Sequence, residues 1–522
     1  MPETGLSDAS DRGITVTEMA AMDEPVDVNP HTVAAFVGRA LRGPLNTPVS
    51  VRSFAQFSQR FGGIWGQSSL GPAVQQFFDH GGRRVYVVRV ANNARGATLC
   101  LPGADGVLIL TAVEPGSTEF IRASVDYDRV PDDDVEHFNL TVQRVSPSTG
   151  LVIDQEIHTA LSCNVESRRY VVNALLTSEL ARVCGPVPAL RPAATVGPAI
   201  EAASQYVGHT QRGTDGEALS DYDLIGSNAE QTGMFALEGV DRFDVLYLPP
   251  PGRHQDLGPT AVLAAELYCR KRGAMLLLDP GSDWKDTRAA VKGIRETGYS
   301  SPNLLTYFPR VVERSDPTKT PRAAGGAIAG LLCRLDERYG PWHDLDQPGL
   351  WFRSHLQPAE RVTAADGATL VRAGFNVIAK TTAGRASVCG SVTLAGDAQL
   401  DRKFASLNVR RLCLHITRAI ERATRWAVFE PGGNRIAHRV RAQVYAFMVS
   451  LADRDAFASE RFDVHCESGL HIDPLDPKRG VTILLSFQPV GSAEYVWLTL
   501  HQSVQGCRVA ATAFAPVTAE CA

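Results

Sequence analysis

The sequence predicts a multidomain protein of combined α/β and α+β class, and three observations carry that expectation. A chain of 522 residues is too long for one core and suggests about three domains of ~150 residues each. Between residues 200 and 345, short apolar runs alternate with helical segments, the pattern of a mostly parallel sheet covered on both faces. From residue 97 to 195 the helical period fades, and short alternating runs bounded by turn residues replace it, the pattern of a β-rich domain.

Taken in order, residues 1–30 form a polar lead around one alternating stretch, Ile14-Thr15-Val16-Thr17-Glu18-Met19. Period-2 alternation marks a strand with one apolar face. No hairpin partner is nearby, so the partner is a distant segment or another chain. Residues 31–95 read as a βααβ unit. It opens on the apolar run Val33–Gly38, turns at Arg42-Gly43-Pro44-Leu45-Asn46, and starts a helix at the capping pattern Ser53-Phe54-Ala55-Gln56. Phe54, Phe57 and Phe61 recur at helical spacing before Gly62-Gly63. Leu70, Ala73, Val74, Phe77 and Phe78 mark a second helix, and Val85–Val90 a strand.

In the β-rich stretch, Val107–Val113, Phe120–Tyr127, Phe138–Val145 and Val152–His158 read as strands, with a hairpin turn at Ser146–Gly150. Pro186–Pro198 reads as a linker. Strands follow at Phe243–Leu248, Ala274–Leu278 and Asn303–Phe308, with helices at Pro259–Lys271 and Asp286–Thr297. Residues 401–500 read as α+β. One helix carries the apolar stripe Val409, Leu412, Cys413, Ile416, Ile420, Ala423 and Ala427. A second carries Ile436, Val440, Val444, Phe447 and Leu451. Strands then cover Arg461–Cys466, Val481–Phe487 and Glu494–Leu500, and residues 501–522 read as a small polar tail.

Hydrophobic residues make up 44%, charged residues 21%, and the net charge is −5, which excludes the basic footprint of a general nucleic-acid binder. The ten cysteines lie far apart with no CxxC, so free buried thiols in a reducing cytoplasm are expected. The opening MPETGLSDASDRG has neither the basic nor the apolar region of a signal peptide. No apolar run approaches the ~18 residues of a membrane span, so export is expected to need a route such as lysis.

Searching for chemistry returns little. Gly325-Gly326-Ala327-Ile328-Ala329-Gly330 is glycine-rich, but no Lys-Ser/Thr follows, so a close-packed turn into a helix is expected in place of a phosphate loop. Gly384–Gly390 has the wrong spacing for a nucleophile elbow. His465, Cys466 and His471 are no ligand set, because adjacent strand residues point to opposite faces. Asp132-Asp133-Asp134 lacks the glycine and glutamate of a calcium loop. We expect no cofactor, no metal and no enzymatic activity. An α/β enzyme with a site at the central sheet is the competing reading. The most suggestive cluster is a stripe of Arg411, His415, Arg418, Arg422 and Arg425 on one helix, either a solvated face or a docking face for an acidic partner, with nucleic-acid binding third because no aromatic residues interleave with it.

Several segments together resemble contractile tail sheath proteins of phages, tailocins and extracellular injection systems. They are Val33–Gly38 with Arg42–Val49, Ser53–Phe57 with Arg60–Gly63, Leu70–Phe78, and Gly81–Val90. Further along come Gly213–Gly216 before Asp221-Tyr222, Thr232–Leu237 before Phe243–Leu246, Gly326–Gly330 before Arg334-Leu335-Asp336, and Asn408–Arg411. Phe487–Val490 and Ala493–Val496 complete the series, which covers about residues 30–95 and 205–500 in the family's order. Cys389 departs from it, standing where the family often has an aromatic.

The resemblance implies a discontinuous α/β sheath core over 31–95 and 200–400, a β-rich outer domain inserted at 97–195, and a C-terminal α+β inner domain over 401–500. It implies extended terminal arms that donate strands to neighbouring subunits. Ile14, Thr15, Val16, Thr17, Glu18 and Met19 suit one arm; Glu494, Tyr495, Val496, Trp497, Leu498, Thr499 and Leu500 suit the other. The partners implied are further copies in stacked hexameric rings, an inner tube, and baseplate and terminator proteins, without nucleic acid or membrane insertion. Arg411, Arg418, Arg422 and Arg425 are the expected tube contact. Such a subunit assembles in a bacterial cytoplasm and works in a virion tail or a released particle.

Overall fold

The computed structural model describes residues 26, 31–147, 149–195, 205–252, 255–395, 404–428, 434–468, 481–503 and 506–510. The chain forms two compact units, a larger one of Asn29–His415 and a smaller one of Met1–Val28 with Ile416–Ala522.

The larger unit begins with β1 (Ala34–Gly38), β2 (Val49–Val51), α1 (Phe54–Phe61), α2 (Leu70–Asp79) and β3 (Val85–Arg89). Ser53 caps α1 as its sequence predicts, accepting from the Gln56 amide at 3.1 Å. The reciprocal bond runs one residue further back, from the Arg52 amide to Gln56 Oε1 at 2.8 Å. Gly62 closes the helix with φ of +88°, a conformation open to glycine without strain. The short strand β2 was not legible in the sequence.

Next come β4 (Thr98–Pro102), β5 (Val107–Ala112), β6 (Ile121–Asp126), β7 (His137–Val145), β8 (Val152–Ser162), α3 (Val171–Leu175), β9 (Ala181–Val183) and β10 (Val207–Gly208). They form two antiparallel sheets, β4-β5-β9 and β10-β6-β7-β8. Leu99, Leu108, Leu110, Phe138, Leu140, Val142, Val171 and Leu175 share a hydrophobic cluster of their own. The predicted hairpin closes with the Gly150 amide on Ser146 O at 2.8 Å. The predicted linker is a correction over 186–195. Asp105 accepts from the Ala189 and Leu190 amides, Pro102 O from Ala193 at 2.8 Å, and Val125 O from Thr195 at 2.9 Å. Each of these bonds satisfies a backbone donor, so this stretch is fastened to the β-rich region. Residues 196–198 lie outside the described residues.

The remainder of the unit comprises α4 (Asp221–Ile225), β11 (Val245–Tyr247), α5 (Pro259–Arg272), β12 (Met275–Leu278), α6 (Thr287–Thr297), β13 (Leu304–Phe308), β14 (Val311–Glu313), α7 (Gly325–Arg338), β15 (Leu356–Pro358), α8 (Ala364–Arg372), β16 (Asn376–Lys380), β17 (Ala386–Cys389) and the start of α9 (Leu407–Thr424). Eight strands form one sheet in the order β17-β16-β13-β12-β11-β1-β3-β2. Its six central strands run parallel, and the outer strands β2 and β17 pair antiparallel. Alternation along β1 explains why it is apolar throughout: Ala34 and Phe36 join one core cluster, Ala35 and Val37 the other. Phe36 meets Phe77 and Tyr247 edge-on, with ring centroids 5.5 and 5.2 Å apart.

The glycine run Gly325–Gly330 does start a helix, and the reason is steric. A Cβ on Gly326 would lie 2.2 Å from Ala73 O, and one on Gly330 2.4 Å from Phe77 O. Both glycines let α7 lie against the backbone of α2.

The smaller unit holds the end of α9, then α10 (Asn434–Ala452), β18 (Phe457–Ser468), β19 (Val481–Pro489), β20 (Val496–Ser503) and β21 (Gly506–Ala510). Its antiparallel sheet has the order β18-β19-β20-β21. The expected polar tail is thus corrected over 506–510, where the Thr499–Ser503 edge of β20 gains a strand partner. Residues 511–522 lie outside the described residues.

Candidate assembly surfaces

Of the two expected arms, Ile14–Met19 lies outside the described residues. Glu494 and Tyr495 precede β20, and Val496, Trp497, Leu498, Thr499 and Leu500 lie within it. Leu498 faces Leu485 of β19, and Leu500 faces Ile483 of β19 and Val509 of β21. Both hydrogen-bonding edges of the strand from Thr499 onward are therefore occupied by the chain's own backbone. From Thr499 onward the strand has no ladder left to offer a neighbour unless it first leaves its own sheet. Among the described residues the open edges of this sheet belong to β18 and β21.

The arginine stripe divides. Arg411 is buried, and its Nη2 donates to Asp336 Oδ1 at 2.6 Å. It is corrected from a surface contact to a core ion pair, because a guanidinium closed inside the core has no path to another protein. Arg418 is half-buried, whereas Arg422 and Arg425 are exposed; Arg425 lies 3.7 Å from Glu421 one turn back. The period of a helix placed these arginines on one side, but the depth to which that side is covered changes along its length.

Asp336 sits on α7 and is 4% exposed. Its second oxygen accepts from the Thr32 hydroxyl. Burial pushes its carboxyl up from the ordinary value, and the Arg411 guanidinium pulls it back. Beside it, Asp244 Oδ2 accepts from the Val33 amide at 2.7 Å, and Arg242 reaches His31 O at 2.9 Å. Arg410 donates to Asn303 Oδ1 at 2.7 Å, and Asn303 in turn donates to Ala274 O at 2.6 Å. Two segments of the sequence-level resemblance, Arg334-Leu335-Asp336 and Asn408–Arg411, thus meet through this ion pair. Nothing in the sequence marked Asp336, Asp244 or Thr32 as partners, since their contacts span 75 to 304 residues.

The competing enzyme reading would use the carboxyl ends of the parallel strands. A cleft of about 510 Å³ lies there, lined by Leu248, Asp256, Asp279, Trp284 and Arg310. Asp256, Asp279 and Arg310 are engaged structurally. Arg310 pairs with Asp256 at 2.5 Å and donates to Pro280 O. Asp279 accepts from Tyr247 Oη at 2.5 Å and from the Gly325 amide at 3.1 Å, capping α7. Among the described residues no three His, Cys, Asp or Glu side chains group as a metal site. His465 and Cys466 face Leu484 and Ile483 across the sheet, and His471 lies outside the described residues. Burial pushes the Cys413 thiol up to about 12 and the Cys163 thiol to about 11, which keeps both protonated and unreactive. Cys389, the departure from the family pattern, is exposed at the end of β17. No helix among the described residues is long and apolar enough to cross a membrane.

The described residues form one mostly parallel sheet, a β-rich region and an antiparallel C-terminal sheet. No family model matches this sequence, and no curated protein is detectably similar to it. Solved structures do match. A sheath tail protein from Listeria innocua superimposes with a TM-score of 0.61 at 12% identity, over 92% of this chain and 96% of that one. A sheath tail protein from Desulfitobacterium hafniense gives 0.55 at 15% identity, over 94% and 100%. The sheath of an extracellular contractile injection system, PVC, in its contracted state gives 0.54 at 14% identity, over 96% and 99%. The chain therefore has the fold of the tail sheath proteins, nearly end to end.

Proposed function

We propose that this chain is the structural subunit of a contractile sheath that polymerises helically around an inner tube and drives it through a target membrane. The observation that carries the reading is the extent of the shared fold, 92–96% of this chain and 96–100% of three solved sheath chains, one of them from a contracted particle. A fold shared over one domain would leave the function open; one shared over nearly the whole of both chains is more specific.

In this reading copies stack as hexameric rings, and heterologous contacts propagate the helix. The strand Ile14–Met19 of one copy adds to an open edge of another copy's C-terminal sheet, at β18 or β21, where the donated backbone completes the ladder. Glu494–Leu500 contributes by building that acceptor sheet, or by exchange if β20 swaps between copies. Residues 97–195 form the outer domain, and Arg418, Arg422 and Arg425 supply the tube-facing charge. Surface pairs of this kind are weak and screened, so they template the extended sheath and release on contraction. Contraction is a rigid-body change between two helical packings, driven by free energy stored at assembly. The particle is a phage tail, a tailocin or an extracellular injection system, with baseplate and terminator proteins at its ends, assembled in the bacterial cytoplasm.

Electron microscopy of the chain co-expressed with its tube protein tests this. Tubes with two distinct helical lattices are expected; a discrete monomer or dimer at micromolar concentration overturns the reading. Deleting residues 1–20 is expected to abolish long sheaths, and unchanged sheath length would remove the arm from the mechanism. Reversing Arg418 and Arg422 to Glu is expected to prevent growth on the tube; normal growth would dismiss the tube contact.

A further inference from the structure

A cleft of about 810 Å³ lies between α6 and the segment that leads into α8. Val291, Phe308 and Val362 form its floor, packed with the core beneath. Arg288, Lys292 and Arg295 recur at i, i+4 and i+7, so one exposed face of α6 carries three cations, and Arg361 lines the cleft from the α8 side. Exposed Lys285 stands just before the helix. Carboxylates line the cleft too, but most are spent within the chain. Asp286 Oδ1 accepts from the Ala289 amide at 2.8 Å, Asp366 Oδ2 accepts from the Thr363 hydroxyl at 2.6 Å, and Glu296 pairs with Lys292 at 3.6 Å. Among the described residues Arg288, Arg295 and Arg361 have no side-chain partner, against Glu360 as the one carboxylate of the lining without one. We propose that this cleft receives the β6–β7 loop, residues 127–136, of a second copy of the chain. That occupant rests on the sheath reading above, which supplies the second copy.

The loop has the complementary chemistry. Asp132 and Asp133 are exposed and, among the described residues, their carboxylates have no partner. Val135 beside them is 69% exposed. Acidic groups suit the rim of the cleft, and an apolar side chain suits its floor. The loop is also shaped in advance. Asp134 Oδ1 accepts from the Glu136 and His137 amides at 2.9 and 3.0 Å, its own amide donates to Pro131 O at 2.9 Å, and Arg191 donates to its carbonyl at 2.7 Å. Asn139 donates to Asp128 O at 2.9 Å. The third aspartate thus fastens the turn while the first two point their charge outward, and a loop held in this way loses little freedom on docking. Charge also selects the kind of contact. Two α6 faces set against each other would oppose like charges, whereas a basic cleft and an acidic loop attract. Such a contact uses two different surfaces, so it propagates from copy to copy instead of closing a dimer. It gives the β-rich region a binding role towards the α6 side of the next copy.

Zero-length carbodiimide cross-linking of the full-length chain, with isotope-labelled and unlabelled copies mixed, tests the contact directly. Peptides joining Asp132 or Asp133 of one label to Lys285 or Lys292 of the other are expected. Their yield should fall about tenfold in about 1 M salt, where charges are screened within about 3 Å. No such mixed-label link, or one indifferent to salt, overturns the proposal. Charge reversal supplies the second arm. One variant carries Asp132→Lys with Asp133→Lys, the other Arg288→Glu with Arg295→Glu; all four side chains are exposed, so both variants should fold as the wild type does. Grown with the tube protein, each alone is expected to give about tenfold fewer long sheaths by electron microscopy, since each opposes like charges at every contact. An equal mixture of the two restores opposite charges at alternate contacts and should recover the sheaths. Normal sheaths from either variant alone, or no recovery on mixing, overturns the proposal. A wild-type chain that builds no sheath refutes the sheath reading instead, and the mixed-label link still decides whether the loop enters the cleft.

Discussion

The two main sheets of this protein differ in strand pairing and in how their outer strands are covered. The eight-stranded sheet of the larger unit is covered on both faces, by α1, α2 and α7 on one side and α5, α6 and α8 on the other. Its strands are apolar almost throughout, as burial on two faces demands. The four-stranded sheet of the smaller unit is antiparallel, and its edge strand β18 alternates buried Val464 with exposed Asp463 and His465. A sheet closed on both faces serves as rigid body. A sheet with long open edges is a template for further strands, which a monomer normally has to protect. In a protein proposed to polymerise, that liability becomes the means of assembly.

If the larger unit is the rigid body, substitutions inside it should be costly. The largest effect is expected for Arg411→Ala. It strands Asp336 without its cation, and removing one partner of a buried pair costs about 3–5 kcal/mol. Denaturant midpoints measure it, and a loss below about 1 kcal/mol would mean that water reaches Asp336 and that the core there is open. Gly326→Ala comes next. Its Cβ would collide with Ala73 O, which is backbone and cannot step aside, so about 3 kcal/mol is expected to be lost. A neutral result would show that α2 and α7 slide freely.

His80 gives the same comparison a pH axis. Its Nδ1 faces Gln76 O at 2.7 Å, and its Nε2 accepts from the Arg353 amide at 3.0 Å, so the ring is held neutral. Burial pushes it down from 6.5 to about 4. The unfolded chain therefore takes up a proton on this group before the folded one does. Its contribution is complete above about pH 6.5 and is lost as pH falls toward 4, by roughly 3 kcal/mol in all. His80→Asn is expected to flatten that part of the stability–pH curve, and an unchanged curve would assign the acid sensitivity to other groups.

The smallest effect on folding is expected in the smaller unit. Arg422→Ala and Arg425→Ala are exposed changes and should alter stability by less than about 0.5 kcal/mol. A loss as large as that of Arg411→Ala would erase the distinction between the buried and exposed arginines of this stretch.

Most element types could be read from the chain. Ser53 and Gly62 announced both ends of α1, and the alternate apolar faces of β1 and β11 followed from runs such as Ala34–Val37. The regions that resisted reading share a cause. Pro186–Thr195 has the composition of a linker, yet distant carbonyls and Asp105 bind its amides. Residues 506–510 are too few to signal a strand, and form one because β20 offers an edge.

The sequence by itself determined the order of elements, the glycine-rich start of α7 and the resemblance to sheath proteins, because each is written in local period or local spacing. Tertiary structure alone decided the fate of the two features expected to act. Helical period grouped five positively charged or ionisable side chains on α9 and the 3-10 turn that follows it, but only the depth of the surrounding core made Arg411 a buried partner of Asp336 and left Arg422 and Arg425 outside. The alternation of Glu494–Leu500 required a strand, but hydrogen bonds to β19 and β21 decided where it lies. Burial and pairing are properties of neighbours far along the chain, and no local pattern encodes them.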